Sequence, residues 1–473
     1  MALVYEPGAT GTPGTHNFIS SFDALKPDKD DVEYLRYGSD RLSGLVEIFG
    51  DKKAATNLTY SHFERDRIMP KIKATNGGAG AAGAAVVFDL AAAADYSIST
   101  QSPYQGSTTV KGGPVLVNDL IQIKPASGTV VSSGSYIECI VSAVNMSAGS
   151  NGQFTAIPLN SADAIPSIAT ADEIIIYGNA FGEGSTIPES RMPKTTEYSN
   201  NIQIIKNTYE ITHIASCEQR WYRDTDTGSQ YYTLDEEQAT NTMFMNYREL
   251  NYLINPGFNN ATIANTFGAA GTPLSMTTGV IPTILDRGNI TNYSSITGIT
   301  LPDFEAMSVT LDSQKGAKNN FLFCGIELSI LVDREFRDVL KNGAITYGNF
   351  RADEQKSINL GFSKFEVGGY TYQKKTLAAL NDAQTTGANG YGYAFEGMVI
   401  PMEHTVDGKN QKVPPMRMRY LMEEGKRSAE MKVTPVNLEE VGDTGRDVSQ
   451  VRYKSCTGIE LFAVNRMVYI RRS

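Results

Sequence analysis

The chain has 473 residues, of which 41% are hydrophobic and 20% charged, and its formal net charge is −10. These proportions are those of a globular protein with room for about three domains, and 43 glycines predict many turns. The acidic balance argues against a protein that wraps nucleic acid, and no run rich in lysine and arginine supplies a basic face.

The cysteines and the N-terminal residues indicate the cellular compartment in which the protein folds. The four cysteines are widely spaced, which predicts free thiols in a reducing environment: Cys139, Cys217, Cys324 and Cys456. The N-terminal sequence MALVYEPGATG lacks the basic and apolar regions of a signal peptide. The most apolar region, 81–94, is too short to span a membrane and contains Asp89. We therefore expect a soluble protein with no membrane partner.

The first part of the chain is rich in glycine. Residues 1–35 combine Gly and Pro with the charged run LKPDKDDVE, which predicts an extended arm with little core. The tract NGGAGAAG at 76–83 predicts a flexible loop tip. Its glycines Gly78, Gly80 and Gly83 have GxGxxG spacing. A polar segment with a proline precedes them and no acid follows at the required distance, so we expect no dinucleotide site.

Short β-rich segments follow between residues 108 and 182. Each carries β-branched residues and is bounded by Gly, Ser or Asn: Pro114–Lys124, Ser135–Asn145, Gln153–Leu159 and Asp172–Gly178. Strands this short and closely spaced predict a small barrel or sandwich inserted as a module of its own.

The best-defined helix is predicted at residues 233–257. Thr233 and Glu236 have the spacing of a capping box, and Asn255-Pro256-Gly257 predicts the end. Apolar residues at helical spacing predict one buried stripe, formed by Ala239, Met243, Tyr247, Leu250 and Ile254. This pattern is equally typical of an ordinary core helix.

The later elements are mixed. Residues 257–300 read mostly as loop, Pro302 opens a helix to Asp312, and Phe321–Cys324 reads as a short buried strand. A second helix is predicted over 325–342, with one apolar face made by Ile326, Ile330, Phe336 and Leu340.

No motif in the sequence argues for catalysis. The four histidines lie in unrelated contexts without HExxH or CxxC spacing, and no GxSxG elbow or phosphate loop is present. We therefore predict no catalytic residues, no cofactor and no metal site, and a protein that is not an enzyme.

The order and texture of the elements resemble a known family. The segments DEIIIYGNAFGEGSTIP (172–188), NNIQIIKNTYEITHIA (200–215) and NNFLFCG (319–325) lie around the long helix. With the loose arm and the β-rich excursion, they are similar to the major capsid protein of tailed bacteriophages. That family has the α+β fold of the Hong Kong 97 phage type, and among its variants the chain looks most like capsid proteins of crAss-like phages.

The resemblance implies a domain organisation. Its parts would be an N-terminal arm (1–60), an extended loop (61–205) with a barrel-like insertion at about 108–182, a peripheral domain (206–259) with spine helix 234–254, an axial domain (260–398), and return strands of the peripheral domain (399–473). Met243, Tyr247, Leu250 and Ile254 on the spine helix, with Gly78, Gly80 and Gly83 in the loop, would be its structural and assembly residues.

The function implied is assembly. Hexamers and pentamers of the chain would form the icosahedral head of a virion, built in the bacterial cytoplasm around double-stranded DNA that is bound without sequence specificity. Portal, scaffold and decoration or head-fibre proteins would be its other partners. Two alternatives stay open: a nanocompartment shell of the same fold, and a β-rich tail or adhesin component that binds glycans through the 108–182 module.

Overall fold

In the computed structural model, the described residues are 51–65, 71–90, 98–99, 115–124, 136–145, 147–148, 152–168, 173–188, 192–193, 195–212, 214, 232–258, 274–342, 363–381, 392–402, 404–406, 411–423, 427–428, 432–436 and 448–473. The predicted arm over 1–35 lies outside these residues. The chain divides into two compact units: one contains residues up to 60 and from 200 onward, and the other contains residues 61–199.

The elements described in the first half of the chain, up to residue 212, are strands. They are β1 (Lys52–Ala55), β2 (Thr59–Arg65), β3 (Lys71–Ile72), β4 (Ala74–Asn76), β5 (Val86–Leu90), β6 (Ile98–Ser99), β7 (Asp119–Lys124), β8 (Ile137–Asn145), β9 (Gln153–Pro158), β10 (Glu173–Asn179), β11 (Met192–Pro193), β12 (Thr195–Asn201) and β13 (Gln203–Thr212).

A seven-stranded sheet dominates the unit of residues 61–199. Its order is β3-β10-β7-β8-β9-β5-β4, with antiparallel pairing throughout. The two end strands, β3 and β4, are separated only by Lys73. The sheet therefore closes on itself through one continuous segment, and the aliphatic and aromatic side chains that point inward form its core. Phe88 and Phe154 stack there with ring centroids 4.9 Å apart.

The four predicted β segments each contain a strand, but the closed sheet begins earlier than residue 108. Ile72, Ala74, Phe88 and Leu90 are all buried in the same core as the later strands. The sequence placed them elsewhere because β3 and β4 are too short to show alternation by themselves.

The second half contains the helices. They are α1 (Tyr232–Ile254), α2 (Val280–Arg287), α3 (Leu301–Ser313), α4 (Ile326–Asn342) and α5 (Ala378–Asn381). The strands are β14 (Asn289–Tyr293), β15 (Asn319–Cys324), β16 (Lys364–Val367), β17 (Tyr370–Thr376), β18 (Gly397–Pro401), β19 (His404–Val406), β20 (Gln411–Val413), β21 (Met416–Glu423), β22 (Arg427–Ser428), β23 (Lys432–Val436), β24 (Val448–Leu461) and β25 (Val468–Arg472).

Two six-stranded sheets organise the larger unit. The first has the order β1-β21-β24-β13, with β22 on β21 and β23 on β24; the second has the order β14-β25-β18-β15-β17-β16. The other pairs are β11–β6, β12–β2 and β19–β20. This mixture of helices and mainly antiparallel strands agrees with the predicted α+β class. The last strand, β25, pairs with β14 and β18, so the end of the 399–473 segment belongs to the sheet of the 260–398 segment.

The helix predicted from Pro302 is present, and its start is well defined. The backbone N–H of Thr300 donates to the Asp303 carboxylate at 2.8 Å, which completes a capping box with the proline inside the first turn. Phe304, Met307 and Leu311 then bury its inner face.

Two predictions for this unit are incomplete. Within 257–300, the expectation of loop missed α2 and β14, and Val280, Ile281 and Ile284 bury one side of α2 in the main core. On α4, Ile326 and Ile330 are 46% and 42% exposed, whereas the buried positions are Leu328 and Val332. The helix is present, and of its predicted face Phe336 packs against the core of the second sheet. The side chain of Leu340 lies outside the described residues.

No helix within the described ranges is long and apolar enough to cross a membrane.

Candidate assembly surfaces

Helix α1 is held on the first sheet by aromatic side chains. Phe244 is fully buried between Ile205 of β13 and Tyr453 of β24, and its ring centroid lies 5.7 Å from that of Tyr453. Near the end of the helix, Tyr252 and Leu253 enter the main core. These contacts fix the rotation of the helix about its own axis.

That rotation contradicts the predicted stripe. Met243 and Tyr247 are 42% and 44% exposed, and Ala239 is exposed as well. Only Leu250 and Ile254 pack against the main core, and both remain partly exposed. The physical reason is that adjacent residues differ by about 100° around a helix. The sheet accepts the larger Phe244 and thereby turns Met243 outward.

The two ends of α1 differ in how well the sequence predicted them. The helix starts at Tyr232, so Thr233 is its second residue and not the N-terminal cap. It ends at Ile254, directly before the predicted stop. There, the Asn255 side-chain oxygen accepts a hydrogen bond from the N–H of Gly257 at 2.9 Å, and Gly257 has a φ of 69°.

A buried amide cluster ties this helix end to the sheet. Asn255 is 6% exposed and donates to the Gln203 side chain on β13 at 2.8 Å. The Gln203 amide donates in turn to the Asn251 oxygen at 2.9 Å. Because each buried amide has partners, the cluster fixes the position of the helix end at little cost.

The glycine tract forms the turn between β4 and β5, and it is not a free tip. The N–H groups of Gly80 and Gly83 donate to the carbonyls of Ile165 and Asp163 at 2.8 and 2.9 Å. A Cβ on Gly80 would overlap the side chain of Val86. The prediction of a flexible loop is therefore wrong for these two glycines. The turn joins two antiparallel strands, whereas a dinucleotide fingerprint requires a helix after the glycines.

The base of this turn is also anchored. Asn76 is 9% exposed, and its side-chain amide donates to the Pro166 carbonyl at 2.8 Å. Its side-chain oxygen accepts from the N–H of Ile168 at 2.7 Å. Residues 76–83 thus hold the 161–168 segment against the closed sheet. Gly78, by contrast, has open space around it.

We predict that Gly83→Ala destabilises the unit of residues 61–199 by about 1–3 kcal/mol. Gly83 has a φ of +69°, and a Cβ would lie 3.0 Å from the Ser161 carbonyl oxygen. Gly77→Ala is the matched control, because nothing lies within 4 Å of its Cβ position. Urea denaturation of both variants measures the difference, and equal midpoints would contradict the structural role of the turn.

Nucleophilic and metal-binding chemistry is not prominent among the described residues. Burial raises the pKa of the Cys139 and Cys324 thiols to about 12, so both stay protonated and unreactive near neutral pH. Cys456 is buried as well. Within the described ranges, no group of three or more His, Cys, Asp and Glu side chains is arranged to hold a metal ion. Cys217 lies outside those ranges.

Two apolar side chains, each in or just beyond a hydrogen-bonded turn, are almost fully exposed to solvent. Ile187 is 94% exposed in the segment 180–188, where Ser185 Oγ donates to the Gly182 carbonyl at 2.7 Å. Ile296 is 93% exposed in a turn closed by the Gly298 N–H donating to the Ser294 carbonyl at 2.9 Å. We call these the two apolar tips. One lies in each compact unit, and the sequence pattern alone did not single them out.

Comparison with known proteins finds similarity only at the level of solved structures. No family model matches the chain, and no curated protein matches it. Three of the solved structures to which it is similar are a cyanophage A-1(L) capsid, Gordonia phage Cozz and an encapsulin complex from Synechococcus elongatus.

The cyanophage structure has 11% identity and a TM-score of 0.37, with 63% of this chain and 84% of that chain covered. The Gordonia phage structure has 10% identity and a TM-score of 0.35, covering 63% and 78%. The encapsulin has 8% identity and a TM-score of 0.33, covering 60% and 77%.

Proposed function

We propose that this protein is a shell-forming subunit that assembles with copies of itself. The observation that carries the proposal is the pair of apolar tips, Ile187 and Ile296, each more than nine-tenths exposed. Burying either side chain against a neighbouring copy would contribute roughly 1.5–3 kcal/mol to assembly. Two tips in different units of one chain fit head-to-tail contacts, which close into rings when the rotation between subunits allows it.

More specifically, we propose that the shell is the icosahedral head of a tailed double-stranded DNA bacteriophage. The subunit would have the Hong Kong 97 phage-type fold and would be most similar to capsid proteins of crAss-like phages. The sequence resemblance supports this form. Hexamers and pentamers would tile the shell in the virion, with portal, scaffold and decoration or head-fibre proteins as further partners. In this organisation, 61–205 acts as extended loop, and 206–259 and 399–473 act as peripheral domain, except that β25 joins the sheet of the axial domain 260–398.

Electron microscopy of the purified full-length protein, after size-exclusion chromatography, tests the proposal. We expect closed particles of icosahedral symmetry. Particles that enclose protein cargo and exclude DNA would identify a nanocompartment shell instead. Tubes or fibres that bind glycans would identify a tail or adhesin component. A protein that remains monomeric even with scaffold present would contradict shell formation.

We predict that Ile187→Asp and Ile296→Asp each lower the yield of closed particles by about tenfold or more, because assembly would then bury an unpaired carboxylate. Both side chains are exposed in the single chain, so the melting temperature of the unassembled subunit is expected to stay unchanged. Light scattering and micrographs measure assembly, and differential scanning fluorimetry measures folding. Ile187→Val is the matched control and should assemble normally. Normal assembly of both aspartate variants would refute the role of the tips.

A further inference from the structure

The face of the first sheet that points away from α1 carries an unusual arrangement of cations. On β13, Ile205 and Tyr209 are buried on the α1 side, so Lys206 points to the opposite face. Lys206 is paired directly with Lys454 of β24. On the other side of β24, Lys432 of β23 occupies the position paired with Lys454. Three neighbouring strands thus place lysines at one level of the sheet.

The next level on the same face extends the pattern. Arg452 lies between Thr208 of β13 and Thr434 of β23 in the same pairing registers. We call the four positions on β13 and β24 the cationic grid: Lys206, Lys454, Thr208 and Arg452. Neighbouring strands lie about 4.8 Å apart, so the two columns of the grid are separated by about that distance.

The lysine pair is unfavourable in the isolated chain. Like charges placed directly opposite each other on a sheet repel. Lys206 and Lys454 are both exposed, and neither makes an ion pair with any residue in the described ranges. The chain as a whole has 52 acidic and 42 basic residues, so a local excess of positive charge stands out against its surroundings. An anion bound over the grid would relieve the repulsion.

The hydrogen-bonding capacity of the grid identifies the class of anion. Ammonium and guanidinium groups only donate, and threonine hydroxyls are able to donate. The nearest carboxylate along β13, that of Glu210, accepts a hydrogen bond from the Gln450 amide at 2.8 Å. The Gln450 oxygen in turn accepts from Arg452 Nε at 3.0 Å. Arg452 Nη2 donates to the same Gln450 oxygen at 2.8 Å. These bonds hold the carboxylate at the border of the grid, and the exposed ammonium groups of Lys206 and Lys454 are the donors that suit phosphate oxygens.

We propose that the cationic grid binds the phosphate backbone of double-stranded DNA, without regard to base sequence. Contact with a DNA backbone requires only positive charge and hydrogen-bond donors, and the grid supplies both. The choice of DNA rests on the proposed function as the shell around a genome. The grid is then a local point of attachment on a subunit whose net charge repels DNA elsewhere.

No run of basic residues in the sequence indicates this site. Residues 206, 432 and 454 lie in three separate segments, and only the pairing of β13, β24 and β23 brings them to one level. The acidic balance of the sequence does not exclude a locally basic face, and strand pairing places these lysines together without any basic run.

Binding of a labelled DNA duplex to the full-length subunit, purified before assembly, tests the proposal. Affinity is measured from about 50 to 200 mM salt, where each phosphate contact contributes about 0.9 to the slope of log affinity against log salt. The double variant Lys206→Gln/Lys454→Gln is expected to reduce that slope by about 1.8. The control Lys364→Gln/Lys375→Gln removes two exposed lysines from β16 and β17 of the other sheet and should leave the slope unchanged.

A second readout is thermal stability. DNA is expected to raise the melting temperature of the wild type and of the control variant. The increase should be smaller for the grid variant. Without DNA, the grid variant should melt at the same or a higher temperature, because it has lost a repulsion. This result also shows that the variant folds.

Three outcomes would overturn the proposal: no binding of duplex to the wild type at low salt, an equal loss of affinity in the two double variants, or tighter binding of polyglutamate than of DNA. The last of these would identify an acidic protein segment as the partner. The two proposals fail in different ways. If no closed particles form but the grid variant still has a smaller salt slope than the control, only the proposed shell function is refuted. If particles form but the grid and control variants have the same salt slope, only the DNA-binding role of the grid is refuted.

Discussion

Replacing Phe244 with alanine is expected to lower the free energy of unfolding by about 3–5 kcal/mol. The side chain is fully buried between Ile205 and Tyr453, so its removal loses the transfer free energy of the ring and leaves a cavity under α1. The amide cluster at the far end of the helix keeps that end in place, so the cavity has little freedom to collapse.

Met243→Ala is the matched control, one residue earlier on the same helix. Met243 is 42% exposed, and its truncation is expected to change the free energy of unfolding by less than about 0.5 kcal/mol. Chemical denaturation of the two variants gives both values, with the slopes compared to confirm that the unfolding reaction is the same. If Met243→Ala proved as damaging as Phe244→Ala, the rotation of α1 on the sheet would be incorrect.

Phe244 and Met243 show how much of the helix structure can be predicted from the sequence. The periodicity predicted α1 and α4 and the end of α1 at Asn255, because local spacing and turn chemistry determine where a helix lies. It did not predict which face is buried. In α1 and α4 alike, two apolar sets lie on neighbouring faces, and the sheet selects Phe244 and Leu328 over Met243 and Ile330. That selection depends on side chains hundreds of residues away.

For the strands, the sequence predicts where a strand lies but not which other strand it pairs with. Runs of β-branched residues predicted β7, β8, β9 and β10, but nothing local indicates that β3 and β4 close the same sheet. The same limit hid the cationic grid, because charges that are harmless in separate segments become neighbours only through register. The apolar tips escaped notice for a related reason: a single isoleucine in a polar turn is a weak sequence signal until its exposure is known.

Breaking the Arg419–Glu460 pair is the second change expected to have a large effect. Arg419 Nε donates to Glu460 Oε2 at 2.6 Å and its second nitrogen, Nη2, donates to Oε1 at 3.1 Å. The two residues are 8% and 2% exposed. Tyr60 covers the pair, with its ring centroid 5.7 Å from the guanidinium carbon. Burial raises the pKa of Tyr60, so its hydroxyl stays neutral there.

Arg419→Met is therefore expected to destabilise the larger unit by about 3–5 kcal/mol, because it leaves the Glu460 carboxylate buried without its partner. The double variant Arg419→Met/Glu460→Leu removes both charges and should recover most of that loss, since a buried ion pair adds little beyond an apolar pair of similar volume. A double-mutant cycle by chemical denaturation, completed with Glu460→Leu, measures the coupling.

If the double variant recovers the lost stability, the Arg419–Glu460 ion pair must have a role other than stabilising the fold. The side chains join β21 to β24, beside the point where Arg419 Nη1 donates to the Ala54 carbonyl of β1 at 3.4 Å. A bidentate pair accepts one strand register and penalises a shift by a residue, whereas Met and Leu tolerate several. We expect the double variant to be stable yet to assemble with lower fidelity, seen as a broader particle size distribution. Additive losses in the cycle would show that the two side chains act independently and would remove this explanation of the register.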